Sequence, residues 1–551
     1  MHERLVENWL INVNEKTFQT PFCQMLTAEG YTVFHLSRHG SFEEGKDIIA
    51  ANPEGFPCAF QLKGSKGKIS QAEWATYVDQ VTRLVEIPIA YPGIDKSQPH
   101  QAYWVTNGEI DEEVRVEIDR RNIGWKNRGY PELQVITKGA LLTRLLAIHK
   151  NFWPGELREE KDLLELYLAN GYGVVAKPKL ATFVQNLLDR ADAKKPEEMK
   201  RALVSASIFT SYGLAPFERA TNIVALIDGW TIFLANVISY SEQHNLARKY
   251  WESIYNLVVL DIQKNLSDLC NELSRRNNLI AGNTLVDSPF YPGRVTWLVS
   301  YMALLGLWSK VKQDLVTDEQ IVWLEKFIHE HSTGLNYWGD AAVPQILTTA
   351  WFKKLQGLEY ATNRYIDDMI HIILDANENE SSPGLPDPWH SLQEVVANTN
   401  AISDSFHREN FQGRSYVLKG LIELLVRHGW RGLIAEHWPK ISKMHFAKFR
   451  TDTKADFARW HNEMGNLIVQ IPKTPQSWKE LSETAHQIDD DYIPITFTQN
   501  PVLLLLFVLV FPHRLTNDVM KILDVWTDEF IKQSNSMTAV TADFTSHASP
   551  E

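Results

Sequence analysis

Three polar side chains on two neighbouring apolar segments could carry out phosphodiester chemistry. Asp47 begins an apolar segment at residues 47–51, and Gln61 and Lys63 lie at the end of a second segment that starts at residue 57. Alternate residues of a β-strand point to the same side, so Gln61 and Lys63 share a face, and a neighbouring strand can bring Asp47 beside them. Carboxylate and carboxamide oxygens next to an ammonium group suit metal-dependent hydrolysis of a phosphodiester.

This chemistry needs a metal ion that polarises the phosphorus, an activated water molecule and a group that stabilises charge in the transition state. Mg²⁺ takes oxygen ligands in octahedral geometry and keeps several of its waters. We therefore predict that Asp47 and Gln61 bind Mg²⁺, or Mn²⁺ in its place. Lys63 would orient or deprotonate the attacking water, or stabilise the phosphorane.

The elements that position these residues belong to an α/β region at residues 1–150. Helical and strand patterns alternate there, which predicts a mixed sheet flanked by helices. The predicted strands are residues 31–36, 47–51, 57–62, 101–106 and 133–137. The predicted helices are residues 5–29, 70–84, 111–121 and 140–149.

Local signals refine this pattern. Residues 52–55 have the Asn-Pro-Glu-Gly composition of a turn, so the strands that carry Asp47 and Gln61 are predicted to form a hairpin. Ser70 and Glu73 have the spacing of a capping box at the start of a helix. Pro21 is expected to interrupt or begin a helix within residues 5–29.

The pattern beyond residue 150 is almost entirely helical, which predicts a large all-α C-terminal region. We predict a helical domain at residues 151–375 and a second helical domain, or a continuation of the first, at residues 390–533. Between them, residues 376–389 have the composition of a linker or an exposed loop. Residues 534–551 are small and polar and are predicted to form a disordered tail.

The charge of the chain limits how it can meet nucleic acid. The net charge is −13, and residues 1–150 contribute −2 of it, from 17 Lys and Arg against 19 Asp and Glu. The first domain can therefore offer a local basic face. The acidic remainder is expected to bind protein or to self-associate rather than to wrap a phosphate backbone.

Cysteine usage and hydropathy indicate a cytoplasmic protein without membrane association. The three cysteines are dispersed and form no C-x-x-C motif, so neither a disulfide framework nor a Cys-rich zinc site is expected. The N-terminus lacks the apolar core of a signal peptide. The most apolar run, residues 502–511, is shorter than the roughly 20 residues that span a bilayer and predicts a buried core helix or strand.

The order of these elements resembles the Mrr-like branch of the PD-(D/E)xK nuclease superfamily. The resemblance covers residues 1–150: a helix, Gly-Tyr, a strand, a polar loop, Gly-x-Asp-Ile-Ile-Ala, a turn, Gln-x-Lys and a helix. It implies a restriction-endonuclease-like fold and a metal-dependent DNA endonuclease whose core is Asp47, Gln61 and Lys63. The family commonly has an acid on the first helix. Gln19 stands at that position, and Glu15, one helical turn earlier, could substitute only if the register shifts.

Basic side chains near the predicted site could contact the phosphate backbone of a nucleic acid. The candidates are Lys46, Lys66, Lys68, Arg38 and His39. For Arg38 and His39, a structural or merely exposed role is the alternative. No G-x(4)-G-K-[ST] motif occurs, so no nucleoside triphosphate site is expected.

Together, these features predict a nuclease domain fused to a helical region that regulates it, binds a partner or oligomerises. Fusions of this kind resemble restriction and antiphage defence effectors, which would act on DNA as a homo-oligomer or with a protein encoded in the same operon. RNA remains an alternative substrate. The alternative function is a catalytically inactive scaffold subunit that binds nucleic acid or protein, and Gln19 in place of an acid keeps that alternative open.

Overall fold

The chain forms two compact units, residues 1–265 and 266–551. They are seen in a computed structural model, which describes residues 2–36, 45–92, 94, 98–154, 156–276, 290–312, 315–378, 384–399, 413–449, 451, 453–460, 467–470 and 477–546. The boundary between the units differs from the boundaries that we predicted at 150 and 375.

The first unit begins with the α/β region. Its strands are β1 (Thr32–Leu36), β2 (Ile48–Ala51), β3 (Pro57–Lys63), β4 (Lys68–Ile69), β5 (Gln101–Thr106), β6 (Glu109–Ile110) and β7 (Leu133–Ile136). Its helices are α1 (His2–Asn12), α2 (Glu15–Ala28), α3 (Gln71–Glu86), α4 (Glu112–Asn127) and α5 (Lys138–His149). The predicted fold class, a mixed sheet flanked by helices, is confirmed.

The main sheet has five strands in the order β1-β2-β3-β5-β7. β1, β2 and β3 are antiparallel neighbours, so β2 and β3 form the predicted hairpin. β5 runs parallel to β3, with Lys63 opposite Thr106, and β7 runs parallel to β5. The chain therefore leaves β3 and β5 at the same edge of the sheet. There β4 and β6 pair in a second, two-stranded parallel sheet.

Helices cover both faces of the main sheet. On one face, Trp74 of α3 packs edge-on against Trp104 of β5, with ring centroids 4.9 Å apart. On the other face, Phe22 of α2 packs against Phe60 of β3 at 5.5 Å. The capping box of Ser70 and Glu73 begins α3 as predicted.

The first helical segment differs from the prediction. Residues 5–29 do not form one helix interrupted at Pro21; instead α1 ends at Asn12, α2 begins at Glu15, and Pro21 lies inside α2. Asn14 caps α2 by accepting a hydrogen bond from the backbone N–H of Thr17 at 2.9 Å. The break between α1 and α2 is therefore set by the cap at Asn14 and not by Pro21.

The first unit continues into a group of helices, part of which packs on the α/β region. They are α6 (Leu157–Tyr167), α7 (Lys177–Leu188), α8 (Pro196–Arg219), α9 (Ile223–His244) and the first part of α10 (Glu252–Ser274), which continues past residue 265. Trp9 of α1 packs against Tyr212 of α8, with ring centroids 4.8 Å apart. The side chain of Thr20 on α2 donates to Asp261 of α10 at 3.0 Å. These buried contacts explain why the compact unit extends beyond residue 150.

The second unit is helical apart from a small sheet. Its helices are α11 (Tyr291–Val311), α12 (Asp318–His331), α13 (Val343–Leu355), α14 (Glu359–Asp375), α15 (Leu392–Thr399), α16 (Leu418–Arg427), α17 (Arg431–Ile441), α18 (Lys454–Phe457), α19 (Trp478–His486), α20 (Ile495–Thr498), α21 (Pro501–Val510) and α22 (Asn517–Ser546). The sheet consists of β8 (Arg414–Ser415), β9 (His445–Phe449) and β10 (Leu467–Gln470).

Two apolar helices bear on the hydropathy predictions. Among the described residues, α9 is the one helix long and apolar enough to cross a membrane, and 83% of its apolar window is buried inside the protein. The apolar run near residue 505 forms α21, whose residues 502–510 are all buried, as predicted for a core segment. Helix α22 continues to Ser546, into the stretch for which we predicted a disordered tail.

A buried histidine makes the first unit sensitive to acid. His149 of α5 hydrogen-bonds Ser205 at 2.8 Å and Tyr212 at 3.0 Å, and burial lowers its pKa from 6.5 to about 3. The folded state therefore favours the neutral imidazole. This stabilisation is fully present above pH 6.5 and is lost as the pH falls towards 3, by about 1.4 kcal/mol per pH unit.

We expect hydrogen exchange of the amides in α5 and α8 to accelerate as the pH falls from 7 to 5, beyond the intrinsic change in exchange chemistry. The variant His149→Gln keeps a hydrogen-bonding side chain but does not titrate, so its protection should depend less on pH. Equal pH dependence in both proteins would contradict this assignment.

Candidate active site at the edge of the N-terminal sheet

The hairpin brings Asp47 and Gln61 into direct contact. The backbone N–H of Asp47 donates to the carbonyl of Phe60 at 2.9 Å, which extends the antiparallel ladder by one residue beyond β2. The Asp47 carboxylate then accepts two hydrogen bonds on Oδ2, from the backbone N–H of Leu62 at 2.7 Å and from Gln61 Nε2 at 2.8 Å. Asp47 is 7% exposed and Gln61 is 3% exposed. Both side chains are thus held in place beneath the surface.

The carboxamide of Gln61 leaves an oxygen available for a ligand. Its Nε2 is used by Asp47, whereas its Oε1 is buried and has no hydrogen-bond partner among the residues that the structure describes. Leaving a buried acceptor unsatisfied costs about 1–3 kcal/mol. A cation that prefers oxygen ligands would satisfy this atom, so the donor chemistry fits Mg²⁺ or Mn²⁺.

Lys63 lies two residues further along β3 and meets Glu15. Its Nζ is 3.2 Å from Oε1 and 3.3 Å from Oε2 of the Glu15 carboxylate, and it lies 5.9 Å from the ring centroid of Tyr77 on α3. The Lys63 side chain is 12% exposed and that of Glu15 is 30% exposed, so solvent reaches the pair. Glu15 is the first residue of α2, where the helix dipole favours a negative charge.

Gln19, at the position where the family has its acid, is engaged elsewhere. It is fully buried, and its Oε1 accepts a hydrogen bond from Lys264 of α10 at 2.9 Å. Both candidates lie on α2, and of the two it is Glu15 that contacts Lys63. Because α2 begins at Glu15, this carboxylate reaches the site from the end of the helix.

The predicted basic residues divide into three groups. Lys66 and Lys68 are exposed on the segment that follows β3. Lys46 is 3% exposed, and its Nζ lies 3.5 Å from the carbonyl of Arg83, so the structure does not place it on the surface. Arg38 and His39 lie outside the described residues.

The burial of Lys46 follows from the packing of the preceding residue on α3. The preceding residue, Gly45, packs so tightly on α3 that an added Cβ would lie 2.5 Å from the carbonyl oxygen of Gln80. The chain at this point is therefore held against the last turns of α3. Carbonyl groups near the C-terminal end of a helix attract cations, and Arg83 provides such a carbonyl.

One residue that the sequence did not single out braces the site. Asn107 follows β5 and is 4% exposed, and its Oδ1 accepts a hydrogen bond from the backbone N–H of Ser65 at 2.7 Å. Its position in an Asn-Gly pair directly after a buried strand is the signal that could have drawn attention to it.

The arrangement combines two carboxylates, one carboxamide oxygen and one ammonium group on adjacent segments. No cluster of three or more His, Cys, Asp or Glu side chains suited to a metal ion occurs among the described residues. A cation beside Asp47 would therefore depend on the oxygen of Gln61 as a further ligand.

Comparison of the chain with protein-family models, with curated proteins and with solved structures gave no match. What the protein does is therefore inferred from its own residues and their geometry.

Proposed function

We propose that the protein is a metal-dependent endonuclease that hydrolyses DNA phosphodiester bonds at the site formed by Asp47, Gln61, Lys63 and Glu15. The observation that supports this most is the hydrogen bond between Asp47 and Gln61, which leaves Gln61 Oε1 buried and unpartnered among the described residues. This pair stands two residues from a solvent-accessible lysine.

The side chains take separate roles in this proposal. Asp47 and Gln61 Oε1 hold the divalent cation, and Glu15 contributes a second carboxylate that compensates for Gln19. When bound, the cation polarises the scissile phosphate and makes its water a better nucleophile. Lys63, released from Glu15 by the incoming phosphate, orients that water or stabilises charge on the phosphoryl oxygens.

DNA is the proposed substrate because the resemblance of residues 1–150 implies a DNA endonuclease, and exposed basic groups lie close to the site. Lys66 and Lys68 lie just beyond Lys63 on the sequence and can contact a phosphate backbone. The acidic remainder of the chain suits protein contacts better than DNA. We assign it to regulation, to binding of a protein partner or to assembly of a homo-oligomer.

The cellular setting follows from the same proposal. A cytoplasmic effector of restriction or antiphage defence would keep such an active site under the control of an appended region. The scattered, buried cysteines agree with a reducing compartment.

A second candidate function is supported by the charge pairing of the same residues. Lys63 already forms an ion pair with Glu15, and Oδ2 of Asp47 already accepts two hydrogen bonds. A site whose charged groups are already paired within the protein suits a scaffold subunit that binds nucleic acid or protein without cutting it.

Cleavage assays with a matched pair of lysine variants separate the two functions. We expect purified full-length protein to cut plasmid DNA with Mg²⁺ or Mn²⁺, and Lys63→Ala to lower the rate about 10²–10³-fold because charge stabilisation is lost. Lys126→Ala is the control. Lys126 lies on α4 and is exposed, and its Nζ is 3.0 Å from Oε1 of Glu132. This variant should cut like the wild type.

The substrates in this assay should include methylated and unmodified plasmid, single-stranded DNA and RNA. Cleavage of RNA alone would transfer the proposal to a ribonuclease. If no nucleic acid is cut with either metal, the scaffold function replaces the nuclease.

A further inference from the structure

The carboxamide of Asn107 joins two segments that are distant in sequence. Its Oδ1 accepts from the backbone N–H of Ser65 at 2.7 Å. Its Nδ2 donates to the carbonyl oxygens of Leu10 at 2.8 Å and of Val13 at 3.1 Å. Asn107 is almost completely buried, and its hydrogen bonds to Leu10 and Val13 are shielded from water.

The groups that Asn107 holds flank the ion pair of the candidate site. Ser65 comes two residues after Lys63, and Val13 comes two residues before Glu15. Leu10 and Val13 lie at the C-terminal end of α1, where carbonyl groups have no partner within the helix. Asn107 satisfies two of these carbonyls and ties the corner between α1 and α2 to the segment that leaves β3.

The packing around Asn107 leaves little room for adjustment. A Cβ added to Gly108 would lie 2.5 Å from the carbonyl oxygen of Gly67 and 2.8 Å from Cβ of Ser65. A Cβ added to Gly64 would lie 3.4 Å from the backbone nitrogen of Glu15. The segment after Lys63 is thus in contact both with the neighbourhood of Asn107 and with the first residue of α2.

We propose that Asn107 is a positioning residue that sets the distance between Glu15 and Lys63 and so fixes the geometry of the candidate cation site. Because this role concerns the cation and the scissile phosphate, the inference rests on the proposed function. Asn107 does not touch substrate; it acts through the backbone on either side of the pair.

Asparagine suits this task because it supplies an acceptor and a two-proton donor in one plane. Alanine at this position removes all three hydrogen bonds. Aspartate keeps the acceptor for Ser65 but presents an oxygen to the carbonyls of Leu10 and Val13, so it removes both donated bonds. The two variants therefore separate the two halves of the contact.

The chain offers a matched control in Asn122. Its Nδ2 donates to the carbonyl of Leu133 at 3.1 Å, and its Oδ1 accepts from the backbone N–H of Leu133 at 2.8 Å. Asn122 thus makes the same kind of bridge from side chain to backbone, between α4 and β7, away from the candidate site. Asn122→Ala should cost stability as Asn107→Ala does, but should not affect the reaction.

Three measurements on full-length Asn107→Ala, Asn122→Ala and wild-type protein test the inference. We expect Asn107→Ala to lower kcat for plasmid cleavage about 10–100-fold, with KM for DNA changed less than about threefold, because misplaced supporting groups cost rate more than binding. Mn²⁺ binding followed by electron paramagnetic resonance should weaken about tenfold. Hydrogen exchange at the Ser65 amide should accelerate.

The outcomes distinguish the inference from the function on which it rests. If the wild type cuts DNA and Asn107→Ala cuts it equally fast with an unprotected Ser65 amide, the positioning role is wrong and the nuclease stands. If the wild type neither cuts nor binds Mn²⁺, the proposed function fails and the positioning role fails with it. An equal loss of kcat in Asn122→Ala would reduce the role of Asn107 to general stability.

Asn107→Asp is the second variant, for use if Asn107→Ala does not fold. It should retain protection of the Ser65 amide while the α1–α2 corner exchanges faster, and kcat should again fall at least about tenfold. Wild-type kcat in this variant would overturn the inference.

Discussion

Replacing Asp47 by Asn is expected to lower the rate of DNA cleavage about 10³–10⁴-fold, or about 4–5.5 kcal/mol in activation free energy. The substitution is nearly isosteric, and the amide oxygen can still accept the hydrogen bond that Leu62 donates at 2.7 Å. The fold of the hairpin should therefore survive. What is lost is the negative charge that holds the cation beside Gln61 Oε1.

The control for this variant is Asp79→Asn. Asp79 lies on α3, its side chain is 77% exposed, and it pairs with Arg83 one helical turn away. We expect Asp79→Asn to bind Mn²⁺ and to cut DNA at the wild-type rate, whereas Asp47→Asn should lose both properties together. Retained cleavage in Asp47→Asn, with wild-type metal dependence, would remove Asp47 from the site.

The sequence was sufficient to predict the contacts between residues that lie close to one another along the chain. A turn at residues 52–55 and two apolar segments of similar length lead to the hairpin, and the two-residue period of a strand then places Asp47 beside Gln61. The capping box before α3 is equally local. Short-range chemistry decides each of these features, so composition and spacing were sufficient.

The start of α2 was not predictable in the same way. Pro21 suggested a break within the helix, but α2 continues through it. Phe18 and Phe22 on α2 are both buried, and Asn14 supplies the cap that starts the helix. The position of Glu15 opposite Lys63 depends on that cap, and therefore the choice between Glu15 and Gln19 required the structure.

Contacts between distant segments explain the remaining differences. The bridge that Asn107 makes joins residues separated by 42 and 97 positions, and no local pattern encodes such a pairing. The sequence suggested that Lys46 is exposed. It is buried because Gly45 packs on α3, and this contact between distant segments leaves no signal in the local sequence.

The second unit contains a buried ionic cluster. Asp524 of α22 is fully buried, and its carboxylate lies 2.8 Å from Lys354 of α13, 3.1 Å from His428 and 3.4 Å from Arg427 of α16. Burial by itself raises the pKa of Asp524, but the hydrogen bond from His428 and the charge of Lys354 outweigh it and hold the pKa below its ordinary range. The carboxylate thus supplies the negative charge and the hydrogen-bond acceptors for three buried donor side chains.

Asp524→Asn is therefore expected to destabilise the second unit by about 3–5 kcal/mol, because it leaves buried cations without their counter-charge. The measurement is hydrogen exchange of the most protected amides in α13, α16 and α22. Since the pKa of Asp524 is depressed, its contribution is present above the pKa of the unfolded chain, near 3.9, and is lost as the pH falls below that value. Below pH 4, amide protection should consequently fall less with decreasing pH in Asp524→Asn than in the wild type.

Asp528 provides the comparison that isolates burial from charge. It lies one turn further along α22 and pairs with the same Lys354 Nζ at 2.7 Å, but its side chain is 36% exposed. Water screens a pair of this kind, so Asp528→Asn should cost about 1 kcal/mol or less. Equal destabilisation by both substitutions would show that Lys354 needs any nearby carboxylate, and that the central position of Asp524 among three donors carries no special weight.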